Sequence, residues 1–263
     1  MTLMPGWIDT HVHIANHFDR VTGRMHSDQS KPETPEEATM YLMENAYNVL
    51  MSGFTTVQSP GAPIDKYLRQ WAEEGRVAGP RVLTSLRSIN ENTGSPDEIR
   101  AFVRKVVADG ADFVKIFATK SIREGGAQTM TDAQIQAACG EAKALGKRAI
   151  VHAQGPEGAK ASILAGCTIG REYEELIYRV KDGGQPPMDA IISLTSTSAE
   201  SIGLGGSIGA IAPGLEADLV ATPGNPLQDI TVVRHVAFVM KGGRVYKNVA
   251  PAAAAVTVRP PWQ

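Results

Sequence analysis

Between residues 7 and 166, short apolar runs alternate with longer stretches of helical periodicity. That alternation limits the possible folds more than any other feature of the chain. The runs are Trp7–Ile14, Thr55–Gln58, Arg81–Leu86, Asp112–Ala118 and Arg148–Ala153, rich in Val, Ile, Phe and Thr. Nearly continuous apolar character predicts strands covered on both faces, as in a parallel sheet. The stretches between them open on helix start signals. Thr34-Pro35-Glu36-Glu37, Ser95-Pro96-Asp97-Glu98 and Thr131-Asp132-Ala133-Gln134 each read as a capping box, the first two with proline in the first turn. Behind them Ala38, Tyr41, Leu42, Val49 and Leu50, then Ile99, Phe102, Val103, Val106 and Val107, follow helical spacing. Gly53, Gly110 and Gly146 close the helices. A βαβα series predicts an α/β fold with parallel strands.

A helix-like stretch, Glu157–Ala165, follows His152, and Cys167-Thr168-Ile169 looks like the start of a sixth strand. There the alternation stops. From Arg171 the chain reads as helical, through Tyr173, Leu176, Ile177 and Val180, then Met188–Leu194 and Ser198–Ile202. A β-rich tail follows at Ala217–Thr222, Val232–Lys241 and Arg244–Lys247, around a Gly242-Gly243 turn. Residues 249–263, rich in Ala and Pro, are expected to be disordered.

A net charge of −2 over 263 residues gives no electrostatic reason to expect nucleic acid or an anionic membrane as partner. No apolar run approaches the length of a membrane span. The first residues lack the basic region and apolar core of a signal peptide, which makes the cytoplasm the default expectation. Cys139 and Cys167 form no disulfide framework and no close-spaced metal motif, and a reducing compartment fits.

The chemistry-bearing residues fall near the C-terminal ends of the strand candidates. His11 and His13 sit two apart in Asp9-Thr10-His11-Val12-His13-Ile14, so strand alternation points both rings the same way. Two adjacent imidazoles can hold a divalent metal; the alternative is a pair of ordinary half-buried histidines. Lys115 lies inside the apolar fourth run, and His152 ends the fifth. An unpaired buried ammonium is costly, so Lys115 needs a partner carboxylate such as Asp9, or carbamylation by carbon dioxide. In a parallel α/β barrel all these strand ends converge on one face. Arg87 and Asn90, ending the third run, and Lys120, in the loop Thr119–Met130, are candidates for substrate contact. His17 and His26, in the polar loop Ala15–Lys31, read as bystanders.

Taken together, Pro5-Gly-Trp-Ile-Asp-Thr-His-Val-His13, Gly53-Phe-Thr-Thr-Val57, Asp112-Phe-Val-Lys-Ile-Phe-Ala118, Ile150-Val-His-Ala153 and Ile208-Gly-Ala-Ile-Ala-Pro-Gly-Leu-Glu-Ala-Asp-Leu-Val220 with Gly224-Asn-Pro226 carry a resemblance. The chain resembles the amidohydrolase superfamily, in its imidazolonepropionase-like and Xaa-Pro-dipeptidase-like branch. The resemblance implies a (β/α)8 TIM-type barrel beside a small β-sandwich, and hydrolysis of a C–N bond in an amide, cyclic amide or dipeptide-like substrate by a metal-activated water. It implies that His11 and His13 bind one divalent metal, most often zinc, that a carbamylated Lys115 bridges to a second, and that His152 binds the second. The alternative is a shortened relative, catalytically impaired, that binds metal or serves assembly.

The family pattern also has a strand-6 histidine in a Glu-His-Gly setting and a strand-8 catalytic aspartate in a Thr-Asp-Ala-Gly setting. This sequence has neither: Thr168-Ile169 runs into Gly170-Arg171-Glu172. Asp182, Asp189 and Asp218 match no such motif, and Asp218 reads as structural. The expected organisation is therefore an incomplete barrel over residues 5–205, lacking strands 6–8, with a sandwich remnant over 206–248 that lacks its N-terminal part. Such a barrel exposes two apolar strand edges. They call for self-association, or for the helices after Gly170 to cover one edge.

Overall fold

In the computed structural model, which describes residues 1–19, 22–26, 33–169, 176–181 and 183–249, each capping signal opens a helix. The chain order is β1 (Thr2–Pro5), β2 (Trp7–Asp9), α1 (Pro35–Met51), β3 (Phe54–Ser59), α2 (Asp65–Glu73), β4 (Arg81–Thr84), β5 (Ser88–Ile89), α3 (Pro96–Ala108), β6 (Val114–Phe117), α4 (Asp132–Ala144), β7 (Ala149–His152), α5 (Pro156–Leu164), β8 (Thr168–Ile169), α6 (Leu176–Lys181), α7 (Pro187–Leu194), α8 (Ser196–Ser201), β9 (Leu219–Thr222), β10 (Phe238–Lys241) and β11 (Arg244–Asn248). Thr34, Ser95 and Thr131 each accept from the amide of the third helical residue, and the Glu or Gln there reaches back to the cap amide. Such caps contribute about 1 kcal/mol each. Gly53, at φ 103°, turns the chain from α1 into β3, and a Cβ there would press on the Trp7 ring.

The parallel strands form two sheets, β2-β3-β4 and β5-β6-β7-β8. Their registers set Val57 beside Val82, Lys115 beside Ile150 and Phe117 beside His152. Two strands differ from the sequence reading. The first ends at Asp9 rather than Ile14, because the Asp9 carboxylate accepts the His11 amide at 2.9 Å and bends the chain. The third is split into β4 and β5 where Leu86 takes a left-handed conformation, φ 58°. The Thr84 hydroxyl accepts the Leu86 amide at that break.

The third sheet, β1-β9-β10-β11, is antiparallel. Its first strand was not anticipated: Thr2–Pro5 pairs with Leu219–Thr222, joining the start of the chain to its β-rich tail. Gly6 lets the backbone cross from this sheet to β2, since a Cβ there would overlap the Thr55 side chain. The barrel-side strands are fastened to the tail by buried polar groups. Arg81 donates to Asp218 and to Thr56, at 2.7 and 2.8 Å, and Asp218 accepts the Gly242 amide at 2.7 Å. The Lys241 ammonium donates to the Gly79 carbonyl at 2.8 Å, and burial pushes its pKa down to about 8.

Two apolar clusters hold the sheets to their helices. One joins Ile89, Val103, Ile116, Ile135 and Val151. The other joins Met4, Trp7, Leu50, Ile191, Val220 and Val239 across the junction with the tail sheet. The late helices α7 and α8 pack against β2, the edge strand of its sheet, with Ile8, Ala199, Ile202 and Ile208 buried together. Arg148 ties the same region inward, donating to the Gln58 side chain at 2.7 Å and to the Ser201 carbonyl at the end of α8.

The cysteines correct the expectation of separate thiols. Cys139 on α4 and Cys167 before β8 are joined in a disulfide, their Cα atoms 5.6 Å apart. Packing explains the meeting: β7 pairs with β8, and α4 lies against α5 with Cys139 in the core. Among the described residues no helix is long and apolar enough to cross a membrane. Gly170-Arg171-Glu172, Tyr173, Asp182 and residues 250–263 of the expected tail lie outside the described residues.

Candidate active site

Four side chains from three parts of the sequence gather at the C-terminal strand ends. β6 carries Lys115 into the interior, where it is 1% exposed, and its Nζ lies 3.4 Å from His11 Nε2. The His11 and His13 rings stand 5.4 Å apart in an edge arrangement. Phe117, two residues beyond Lys115, sets its ring 4.9 Å from the Lys115 ammonium and 5.3 Å from the His152 ring.

The two histidines do not meet through strand alternation, since β2 has already ended. Their segment is held by polar contacts. The Val12 amide donates to the Gln58 carbonyl, and the Gln58 side chain donates to the Thr10 carbonyl. The Ile14 amide reaches Ser59 Oγ at 3.5 Å, and Asn45 of α1 donates to the carbonyls of both Ile14 and Asn16 at 2.9 Å. None of Gln58, Ser59 or Asn45 was singled out from the sequence, because short polar residues on a strand and a helix carry no local sign of a distant backbone partner.

Electrostatics keep His11 neutral. Burial pushes its pKa down to about 3, and Lys115, His13 and His152 add to the effect. Its Nδ1 is buried without a hydrogen-bond partner among the described residues. Burial also raises the Asp9 carboxyl above its ordinary value, against the pull of the His11 amide. A neutral imidazole with an unused ring nitrogen is the form that can ligate a cation. Even so, among the described residues no three His, Cys, Asp or Glu side chains stand together closely enough to hold a metal ion.

A cavity of about 230 Å³ opens beside this cluster, walled by His13, Asn16, Pro60, Gly61, Ser88 and Phe117. This wall was not singled out from the sequence; the Pro60-Gly61 pair directly after β3 is the signal that could have pointed to it. Arg87, Asn90 and Lys120 are not in its wall. Arg87 is exposed, and its charge acts on Asp109 at the end of α3. Asn90 caps the turn Glu91–Thr93, accepting the Asn92 amide. Lys120 is exposed on a loop closed by its own amide to the Ala127 carbonyl. His17 is buried against Tyr41, ring centroids 3.7 Å apart, and stacks on His26 at 5.0 Å, so this pair fastens the loop to α1.

Comparison with known proteins places this arrangement. The sequence model of the Amidohydrolase family matches in two overlapping stretches, residues 2–176 and 162–246. Ochratoxinase from Aspergillus niger is 37% identical over 78 residues, a stretch that spans 28% of this chain and only 16% of ochratoxinase. Among solved structures, a Xaa-Pro dipeptidase with methionine bound in its active site superposes with a TM-score of 0.82 at 23% identity, over 94% of this chain and 87% of that one. The structure of A. niger ochratoxinase superposes with a TM-score of 0.78 at 19% identity, over 95% of this chain and 84% of that one. Identities this low establish a shared fold, the TIM-barrel-like α/β architecture.

Proposed function

The chain belongs to the amidohydrolase family, and from that premise we propose that it is a metal-dependent hydrolase cleaving a C–N bond in a small amide, cyclic amide or dipeptide-like substrate. The observation that carries this reading is the approach of Lys115 Nζ to His11 Nε2, 3.4 Å apart, with His13 and His152 beside them. A buried lysine facing a neutral histidine is an unusual expense for a core, and buried, perturbed titratable groups of this kind mark candidate functional sites. The structural relatives, a Xaa-Pro dipeptidase and an ochratoxinase, support an amide or dipeptide-like substrate.

The donor chemistry suits a divalent cation of the zinc type, although among the described residues no three His, Cys, Asp or Glu side chains stand close enough together to hold one as placed. His11, neutral and with Nδ1 lacking a partner among the described residues, would supply nitrogen, as would His13 and His152. Lys115 as an ammonium repels a cation; as a carbamate it offers oxygen. A metal held there would supply a more acidic water and polarisation of the scissile carbonyl. The chain does the rest by position. His11 and His13, just after β2, and Lys115 and His152, on β6 and β7, are the residues that would hold the ion. The cavity beside His13 and Phe117 receives the substrate and limits bulk water. Among the described residues none takes the role of the strand-8 aspartate, so the set would hold at most one ion firmly and assigns no proton carrier to the leaving nitrogen.

That gap favours a second reading: an incomplete, catalytically impaired barrel that binds metal without efficient turnover. Zinc loading followed by a panel of Xaa-Pro dipeptides and N-acyl amino acids separates the two. Turnover that disappears in His11→Ala supports the hydrolase; bound zinc without turnover on any of the panel supports the impaired relative.

A further inference from the structure

Asp65 is the most deeply buried carboxyl of the described chain outside the histidine cluster, with no exposed surface. It stands in the first turn of α2, yet it does not cap that helix: the capping position is Ile64, which makes no side-chain bond. Its contacts run instead toward the cavity. Oδ2 accepts from the Thr84 hydroxyl at 3.1 Å and from the Ala62 amide at 3.3 Å, and Ser59 also donates to the carboxyl. Ser59 in turn accepts the Ile14 amide, directly after His13. Oδ1 has no partner among the described residues. Gly61, in the cavity wall, lies so close that a Cβ there would overlap the carboxylate and stand 2.6 Å from Ser59 Oγ.

We propose that Asp65 is a positioning residue for the histidine pocket, fixing the loop at residues 60–62 that walls the cavity and, through Ser59, the backbone that follows His13. Burying a carboxyl is costly, and helix stability alone does not require it here. The same group touches the ends of β3 and β4 and the loop between them, so one side chain sets three pieces of backbone around the pocket. It touches neither the histidines nor Lys115 and acts through Ser59 and the loop. The proposal rests on the hydrolase reading for what the pocket holds, and on geometry alone for the positioning.

The test uses the full chain with Asp65→Ala, Asp65→Asn and Ser59→Ala, amide hydrogen exchange by mass spectrometry, and zinc titration. Asp65→Ala and Ser59→Ala are expected to speed exchange at least tenfold in residues 10–16 and 60–64, while peptides from β6 and β7 keep their wild-type rates. Asp65→Asn, which retains an acceptor oxygen, restores much of the protection. Zinc affinity falls at least tenfold in Asp65→Ala and recovers in Asp65→Asn. Exchange that accelerates evenly along the chain, or in neither segment, overturns the proposal, as does faster local exchange with unchanged zinc affinity. If Asp65→Ala does not fold, Ser59→Ala decides. A wild-type chain that takes up no zinc ends the hydrolase reading, and the exchange pattern then still decides the role of Asp65.

Discussion

Opening the bond between Cys139 and Cys167 removes the one covalent tie between α4 and the last parallel strand. The bond joins residues 28 apart. Loop-closure entropy for a loop of that length amounts to about 3.6 kcal/mol at 25 °C. The native side changes little, since Cys139 stays buried among Ala138, Ala142 and their neighbours whether or not it is bonded. β8 contributes only two residues to its sheet, so little else holds this edge. Urea unfolding followed by far-ultraviolet circular dichroism compares the oxidised chain with Cys139→Ser/Cys167→Ser, intact mass having verified the bond in the first. With a slope of about 3 kcal/mol per molar urea, the midpoint drops by roughly 1 M in the double variant. Coincident midpoints would refute the entropic account, and two free thiols in the native oxidised chain would refute the contact itself.

Other consequences are as direct. Asp218→Ala strips Arg81 of its closest carboxylate and leaves the Gly242 amide without its acceptor; the expected loss is about 3 kcal/mol in chemical denaturation, and an unchanged midpoint would mean the junction is held elsewhere. Ser95→Ala removes the cap of α3 and lowers stability by about 1 kcal/mol. His11, with its folded pKa near 3, stays neutral as pH falls through the unfolded value of 6.5. Between those values the unfolded chain takes a proton that the native site refuses, so this residue makes stability fall as pH drops through that window. Nuclear magnetic resonance of the ring should show no His11 titration above about pH 4, and a midpoint near the ordinary value would contradict its burial.

Local structure was legible in the sequence because its causes are local. Thr34, Ser95 and Thr131 cap helices through residues three positions away, and Gly53, Gly110 and Gly146 turn the chain where the helical pattern ends. Lys115 and His152 were legible as neighbours because β6 and β7 are adjacent parallel strands, whereas His11 and His13 lie past the end of β2 in a segment that polar contacts place beside them. What was not legible depends on partners far along the chain. The pairing of Thr2–Pro5 with Leu219–Thr222, the disulfide, and the packing of α7 and α8 on β2 each join segments with no mutual sequence signal. The early end of β2 has a local cause, the Asp9 carboxylate accepting the His11 amide, but a β-branched apolar run hides it. Arg87 and Asn90 were placed at the pocket by assuming an unbroken third strand; the left-handed Leu86 re-aims that segment.

The proposed metal centre of His11, His13, Lys115 and His152 is tested most directly by zinc stoichiometry. After loading with zinc and bicarbonate and exhaustive dialysis, elemental analysis should find about one equivalent per wild-type chain and none in His11→Ala or Lys115→Ala. Wild-type protein that retains no zinc above the level of those variants would contradict it.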